Sequence, residues 1–191
     1  MKMFPKIKMR APTAIFFMVL LVLDCSFLSL VPILAAVCHE FGHLWVMLIL
    51  GVPVKEIEIT LFGAEIHADA ISQRTFGQIC VYGSGAAANL ASGFCVWGLF
   101  GGALFADFFF ICSLGLAIFN LIPIRTLDGG CILEALCLRL FPRRADIILA
   151  AVSAVSLAIL WLLAIYLMLI FGGNISLMLF CIYMFVSLYL R

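Results

Sequence analysis

Residues 32–51 read PILAAVCHEFGHLWVMLILG, an apolar stretch that carries His39, Glu40 and His43 in its middle. A helix needs roughly 20 apolar residues to cross a bilayer, so this stretch is long enough to span a membrane. Ionisable side chains inside such a span are costly and are usually retained for a function. The stretch therefore predicts a membrane protein with a functional site inside the bilayer.

The composition of the whole chain supports this interpretation. Of the 191 residues, 66% are hydrophobic and only 11% are charged, which is more apolar surface than a small soluble domain can bury. The net charge of +1 gives no reason to expect nucleic acid as a partner. The eight cysteines form no CxxC pair, and we expect no disulfide framework. The sequence predicts one polytopic membrane domain over residues 1–191.

Apolar stretches between polar ones predict six transmembrane helices, at about residues 12–28, 32–51, 75–100, 108–122, 147–171 and 175–190. The basic N-terminus leads into the first stretch without a small-residue cleavage site, which favours an uncleaved anchor over a signal peptide. With the N-terminus in the cytoplasm, all eleven Lys and Arg fall on the cytoplasmic side. We therefore expect a multi-pass protein of the cell membrane with both termini in the cytoplasm.

Residues 54–70, VKEIEITLFGAEIHADA, alternate between apolar and polar side chains. This period of two predicts a β-hairpin or a short strand pair at the cytoplasmic membrane face. The predicted fold class is an all-α membrane protein with six transmembrane helices and a short membrane-associated β-hairpin between helices 2 and 3.

The segment His39-Glu40-Phe41-Gly42-His43 is an HExxH motif. On a helix, His43 lies about 40° around the axis from His39, and Glu40 about 100° away, so both imidazoles point the same way. Two such imidazoles can hold one zinc ion, and the glutamate can take a proton from a water that the zinc activates. The alternative is a buried polar cluster that only bonds neighbouring helices.

A catalytic zinc has three protein ligands and one open position, so one ligand is still to be found. Asp128 is a candidate, in residues 120–130, NLIPIRTLDGG. It is equally suited to cap the helix that the following CILEALCLRL predicts. Cys131 as a thiolate and His67 on the polar strand face are further candidates, and the residues alone leave the choice open.

Taken together, HExxH in an apolar helix and NxxPxxxLDGG about eighty residues later resemble the site-2 protease family of intramembrane metalloproteases. The six-span plan is most similar to the branch that contains stage IV sporulation protein FB, and the resemblance covers at least residues 11–145. It implies that His39, His43 and Asp128 hold zinc and that Glu40 activates water. It also implies that Asn120 positions the substrate or stabilises the developing oxyanion.

The sequence also departs from the family pattern. The family often has Gly-Pro before an asparagine in the third span, whereas residues 83–89 read GSGAAAN, which keeps Asn89 without the proline. The chain shows neither a PDZ nor a CBS domain.

The resemblance implies a zinc metalloendopeptidase that cuts a peptide bond in or near a transmembrane segment of a membrane-associated substrate. Such regulated proteolysis would release, for example, a transcription factor or a precursor. The expected partners are a membrane-protein substrate, the lipid bilayer and a membrane regulatory protein. The alternative is a catalytically inactive membrane metal-binding protein that binds or restrains a partner. A transporter is disfavoured, because the sequence has no inverted repeat.

Overall fold

The computed structural model describes residues 6–9, 30–52, 54–60, 63–68, 75–171, 181–182 and 185–186. Its strands and helices follow in the order β1 (Lys6–Met9), α1 (Leu30–Ile49), β2 (Val54–Thr60), β3 (Gly63–Ala68), α2 (Thr75–Phe100), α3 (Leu104–Asn120), α4 (Asp128–Leu140) and α5 (Ala145–Phe171). The chain forms two compact units, Met1–Phe119 and Asn120–Arg191.

Four of the six predicted spans coincide with the helices α1, α2, α3 and α5. Three helices are long and apolar enough to cross a membrane, over Leu30–Ile49, Thr75–Phe100 and Ala145–Ile170, and α3 is a shorter apolar helix. The first predicted span lies outside the described residues, and so does all of the sixth except residues 181–182 and 185–186. The count of six stays a prediction.

Large apolar side chains cover much of the outer surface of the long helices. Leu48, Leu99 and Leu169 are 75%, 70% and 75% exposed. Water would make such a surface prone to aggregation, whereas hydrocarbon chains solvate it. The length and the exposed apolar surface of these helices are those of a membrane protein.

The strands form one sheet in the order β1-β2-β3. Strands β2 and β3 pair antiparallel, from Val54 opposite Ala68 to Thr60 opposite Gly63, in the region where the alternating pattern predicts strands. Strand β1 adds in parallel to β2, with Lys6 opposite Glu56. The sequence analysis missed β1, because four residues of alternation in a basic N-terminus fit a cytoplasmic lead-in equally well.

Helices α1 and α2 approach each other closely at Gly42. A Cβ atom at this position would lie 2.5 Å from the carbonyl oxygen of Ser84 and 2.7 Å from the Cβ of Ala88. Small residues at a crossing allow helix backbones to come together in a membrane, where packing rather than the hydrophobic effect holds helices together. Gly42, the fourth residue of the HEFGH segment, therefore sets the distance between the two helices.

Helix α1 ends where glycine allows a left-handed residue. Gly51 has φ 66°. The N–H of Gly51 donates to the carbonyl of Leu48, and the N–H of Val52 donates to that of Met47, at 3.1 and 2.9 Å. These two bonds are the Schellman motif, which satisfies the last carbonyls of a helix.

In the second unit, the loop of residues 121–127 is fixed against the helices that follow it. The N–H of Arg125 donates to Oγ of Ser153 on α5 at 3.1 Å. A Cβ atom at Gly129 or Gly130 would overlap the carbonyl oxygens of Leu121 and Ile124, respectively. The two glycines of LDGG therefore let the loop fold back on the first turn of α4.

Candidate metal centre

His39 and His43 lie together on α1, as the spacing of HExxH predicts. Both are buried, at 5% and 6% exposure. Their Nε2 atoms are 3.2 Å apart, and the two rings meet edge to face at an interplanar angle of 83°. Two nitrogens that bind one tetrahedral zinc at 2.0–2.1 Å lie about 3.4 Å apart. The spacing of this pair therefore fits two ligands of a single zinc ion.

The imidazole of His43 is oriented by the backbone of α2. Its Nδ1 is 2.7 Å from the carbonyl oxygen of Val81, to which an Nδ1–H donates. The hydroxyl of Ser84 donates to the same carbonyl at 2.6 Å. With the proton on Nδ1, the Nε2 atom keeps its lone pair for a metal.

Helix α2 also reaches His39, through Asn89. The Nδ2 atom of Asn89 lies 3.4 Å from Nδ1 of His39, and Asn89 is completely buried. Each histidine of α1 is therefore contacted on its Nδ1 side by a polar group of α2, and its Nε2 atom faces the other histidine.

Gly85 brings the backbone of α2 against the histidine pair. A Cβ atom at Gly85 would lie 2.5 Å from Nε2 of His43 and 2.7 Å from Nε2 of His39. Sequence reasoning missed Gly85, Val81 and Ser84, and it gave Asn89 no role. The signal was the run of small residues at 83–89 in an apolar span, which indicates close helix packing but not what the helix packs against.

Glu40 follows His39 on α1 and is half-buried. Its place one residue after a histidine, about 100° around the helix, separates it from the pair of imidazoles on the shared face. Glu40 is therefore a candidate for proton transfer rather than a third metal ligand beside the two histidines.

Asp128 is in the first turn of α4, in the second unit, and is half-buried. The N-cap is Leu127, with φ −108° and ψ 163°. The carbonyl of Leu127 accepts the first bonds of the helix, from the N–H groups of Gly130 and Cys131 at 3.0 and 3.1 Å. The alternative that Asp128 caps the helix is therefore wrong, because the turn begins one residue earlier.

The other predicted site residues lie on α3, α4 and β3. Asn120 is the last residue of α3, and Cys131 lies in α4; both are half-buried. His67 lies on β3 opposite Glu56, and its side chain is outside the described part of the protein.

The chain is similar to known proteins in part of its sequence and in its fold. Residues 101–163 match the sequence profile described as Peptidase family M50, a segment that includes Asn120 and Asp128. The fold is similar to the solved structure of the Site-2 Protease from Methanocaldococcus jannaschii, with a TM-score of 0.70 and 22% identity over 95% of this chain and 88% of that chain. The search of curated proteins found no match. At this identity the structural likeness shows the fold alone, and the sporulation branch stays a prediction.

Proposed function

We propose that this protein is an intramembrane zinc metalloprotease, which hydrolyses a peptide bond in or near a transmembrane segment of a membrane protein. The observation that carries the proposal is the histidine pair. Two buried imidazole nitrogens lie 3.2 Å apart, inside a helix long and apolar enough to cross a membrane. The match to Peptidase family M50 and the site-2 protease fold support the same activity.

In this proposal, zinc would be held by Nε2 of His39, Nε2 of His43 and the carboxylate of Asp128. Each of these three residue types offers one ligand atom that zinc accepts, an imidazole nitrogen from each histidine and a carboxylate oxygen from the aspartate. Three protein ligands and one open position are the arrangement of catalytic zinc sites. The donor set of two imidazoles and one carboxylate also suits this ion chemically.

A bound zinc would supply Lewis-acid chemistry, which polarises a carbonyl and makes a water molecule more acidic. Glu40 acts as the general base, because a carboxylate next to His39 can accept the proton of the attacking water. It then gives this proton to the leaving amine. The amide N–H of Asn120 donates to the substrate oxygen as negative charge develops there.

A peptide bond inside a helix is not accessible, because its N–H and C=O groups are paired within the helix. The substrate must therefore unwind near the cleavage site. Among the described strands, β3 pairs with β2 only, so one edge of the sheet could accept an extended segment through backbone hydrogen bonds. We propose that the sheet holds the unwound segment during cleavage.

The experiment that tests the function compares Glu40→Gln with the parent on a co-expressed single-span membrane protein. Glutamine keeps the shape of the side chain but cannot accept the proton, so cleavage should fall by about 100- to 10,000-fold. Zinc content should equal that of the parent. Glu134→Gln is the matched control, because it makes the same change in a glutamate whose Oε1 lies 3.9 Å from Nη2 of Arg125 in the second unit. This variant should cleave the substrate normally. Parental cleavage by a zinc-loaded Glu40→Gln variant would contradict the mechanism, and a partner-binding protein would become the leading interpretation.

A further inference from the structure

One buried polar atom next to the histidine pair has no role in the mechanism above. Asn89 is 0% exposed, and within the described part of the chain its Oδ1 has no hydrogen-bond partner. Its Nδ2 atom faces Nδ1 of His39 at 3.4 Å. A buried amide oxygen without a partner is destabilising, and natural proteins usually keep such a group only where it has a further use.

The chemistry of the neighbouring imidazole indicates that use. An imidazole that binds a metal through Nε2 carries its proton on Nδ1, and this N–H normally donates to a carboxylate, a carbonyl or a water. For His43, the carbonyl of Val81 is such an acceptor, at 2.7 Å. For His39, the side chain at the corresponding place is Asn89.

The two ends of an amide have nearly the same shape but opposite hydrogen-bonding character. A half-turn about the last torsion of Asn89 replaces Nδ2 by Oδ1 at the same place, without a change in packing. This rotation places Oδ1 within hydrogen-bonding reach of the Nδ1–H of His39, so that one bond gives Oδ1 a partner.

We propose that Asn89 is a positioning residue, whose Oδ1 accepts a hydrogen bond from Nδ1–H of His39 and so holds the imidazole with its Nε2 lone pair toward the metal. The inference rests on the zinc site proposed above. It assigns to α2 a supporting group for each histidine of α1: a backbone carbonyl for His43 and a side-chain amide for His39.

A purely structural role for Asn89 is the competing interpretation, and Ser113 allows the two to be separated. Ser113 on α3 is also completely buried, and its Oγ also lacks a partner among the described residues. It packs near Gly93, where a Cβ atom would lie 3.1 Å from the Cβ of Ser113. Ser113 therefore shares the burial of Asn89 but not its contact with a histidine.

The test measures the zinc dissociation constant of the full chain in detergent, by competition with a chromogenic chelator. Asn89→Leu has similar size but no acceptor, and zinc binding should weaken by about 10- to 100-fold. Asn89→Asp keeps an acceptor oxygen, and it should bind zinc at least as tightly as the parent. Ser113→Ala, the matched control, should not change the dissociation constant. Circular dichroism checks that each variant is folded.

The outcomes separate the two proposals. If the parent binds no zinc, the proposed function fails and this inference fails with it. If the parent binds zinc and a folded Asn89→Leu variant binds it equally well, only the inference is overturned. Equal weakening of zinc binding in Asn89→Leu and Asn89→Asp would indicate that Asn89 acts through packing, and it would also overturn the inference. Should Asn89→Leu not fold, Asn89→Asp decides alone, because a tenfold loss in that variant contradicts an acceptor role.

Discussion

At the scale of single residues, Gly85 constrains the candidate site most tightly. A Cβ atom at this position would meet the Nε2 atoms of both His43 and His39, at 2.5 and 2.7 Å. These two Nε2 atoms are the proposed zinc ligands. Even a methyl group at position 85 must therefore displace the imidazole rings that would bind the metal.

We therefore expect Gly85→Ala to weaken zinc binding by about tenfold or more, the effect of disturbed ligand orientation. The control is Gly83→Ala on the same helix, since a Cβ atom there has nothing within 4 Å. Chelator competition measures both dissociation constants. Equal zinc affinity in Gly85→Ala and the parent would show that the metal does not use these two nitrogens.

Single residues also show what the sequence can predict about a site. The spacing of HExxH predicts that His39 and His43 share a face, because the period of one helix fixes that relation. It does not predict Gly85 or Asn89, because they lie on another helix. Which residues meet across a helix pair depends on the crossing angle and the register, and neither is visible in the period of either helix.

At the scale of elements, the start of α4 determines what Asp128 can do. The sequence left an N-cap as the alternative role for Asp128, but the helix begins after Leu127 and places Asp128 in its first turn. The competing factor is the folded-back loop of residues 121–127, held by the bond from Arg125 N–H to Ser153. Local propensity does not fix a helix boundary to within one residue.

A matched pair of aspartates tests the proposed third ligand. Asp128 and Asp146 each lie in the first turn of a helix, α4 and α5, where a negative charge is equally favourable for the helix. Asp128→Ala should lose most of the about one zinc per chain that a three-ligand site holds. Asp146→Ala should keep it, because it loses only an exposed ion pair with Arg125. Metal analysis of the purified variants measures the difference, and full retention in Asp128→Ala would direct the search to His67 or Cys131.

The elements differ in how far the sequence predicted them. Long apolar runs gave α1, α2, α3 and α5, because length and hydropathy are local properties. Alternation over residues 54–70 located β2 and β3, which are neighbours in the chain. Strand β1 was missed because its partner β2 lies some fifty residues away, and a parallel pairing at that distance has no local signature.

At the scale of the whole molecule, the charge distribution predicts the topology in the membrane. All eleven Lys and Arg lie on one side of the membrane only if the chain crosses six times with both ends in the cytoplasm. Reporter fusions after residues 102 and 173 should report the outside, and fusions after residues 74 and 144 the inside. An outside signal from a fusion after residue 144 would overturn the six-span topology.

In genetic terms, the two histidines of α1 differ in robustness. The Nδ1 of His43 is bonded to the main-chain carbonyl of Val81, and every amino acid at position 81 supplies such a carbonyl. A substitution at position 81 therefore keeps the hydrogen bond that orients His43. His39 has the side chain of Asn89 beside it, which a single nucleotide change can replace. In a library of random variants, substitutions at position 89 should therefore often abolish function. Substitutions at position 81 should be milder, because they change only the packing of the side chain.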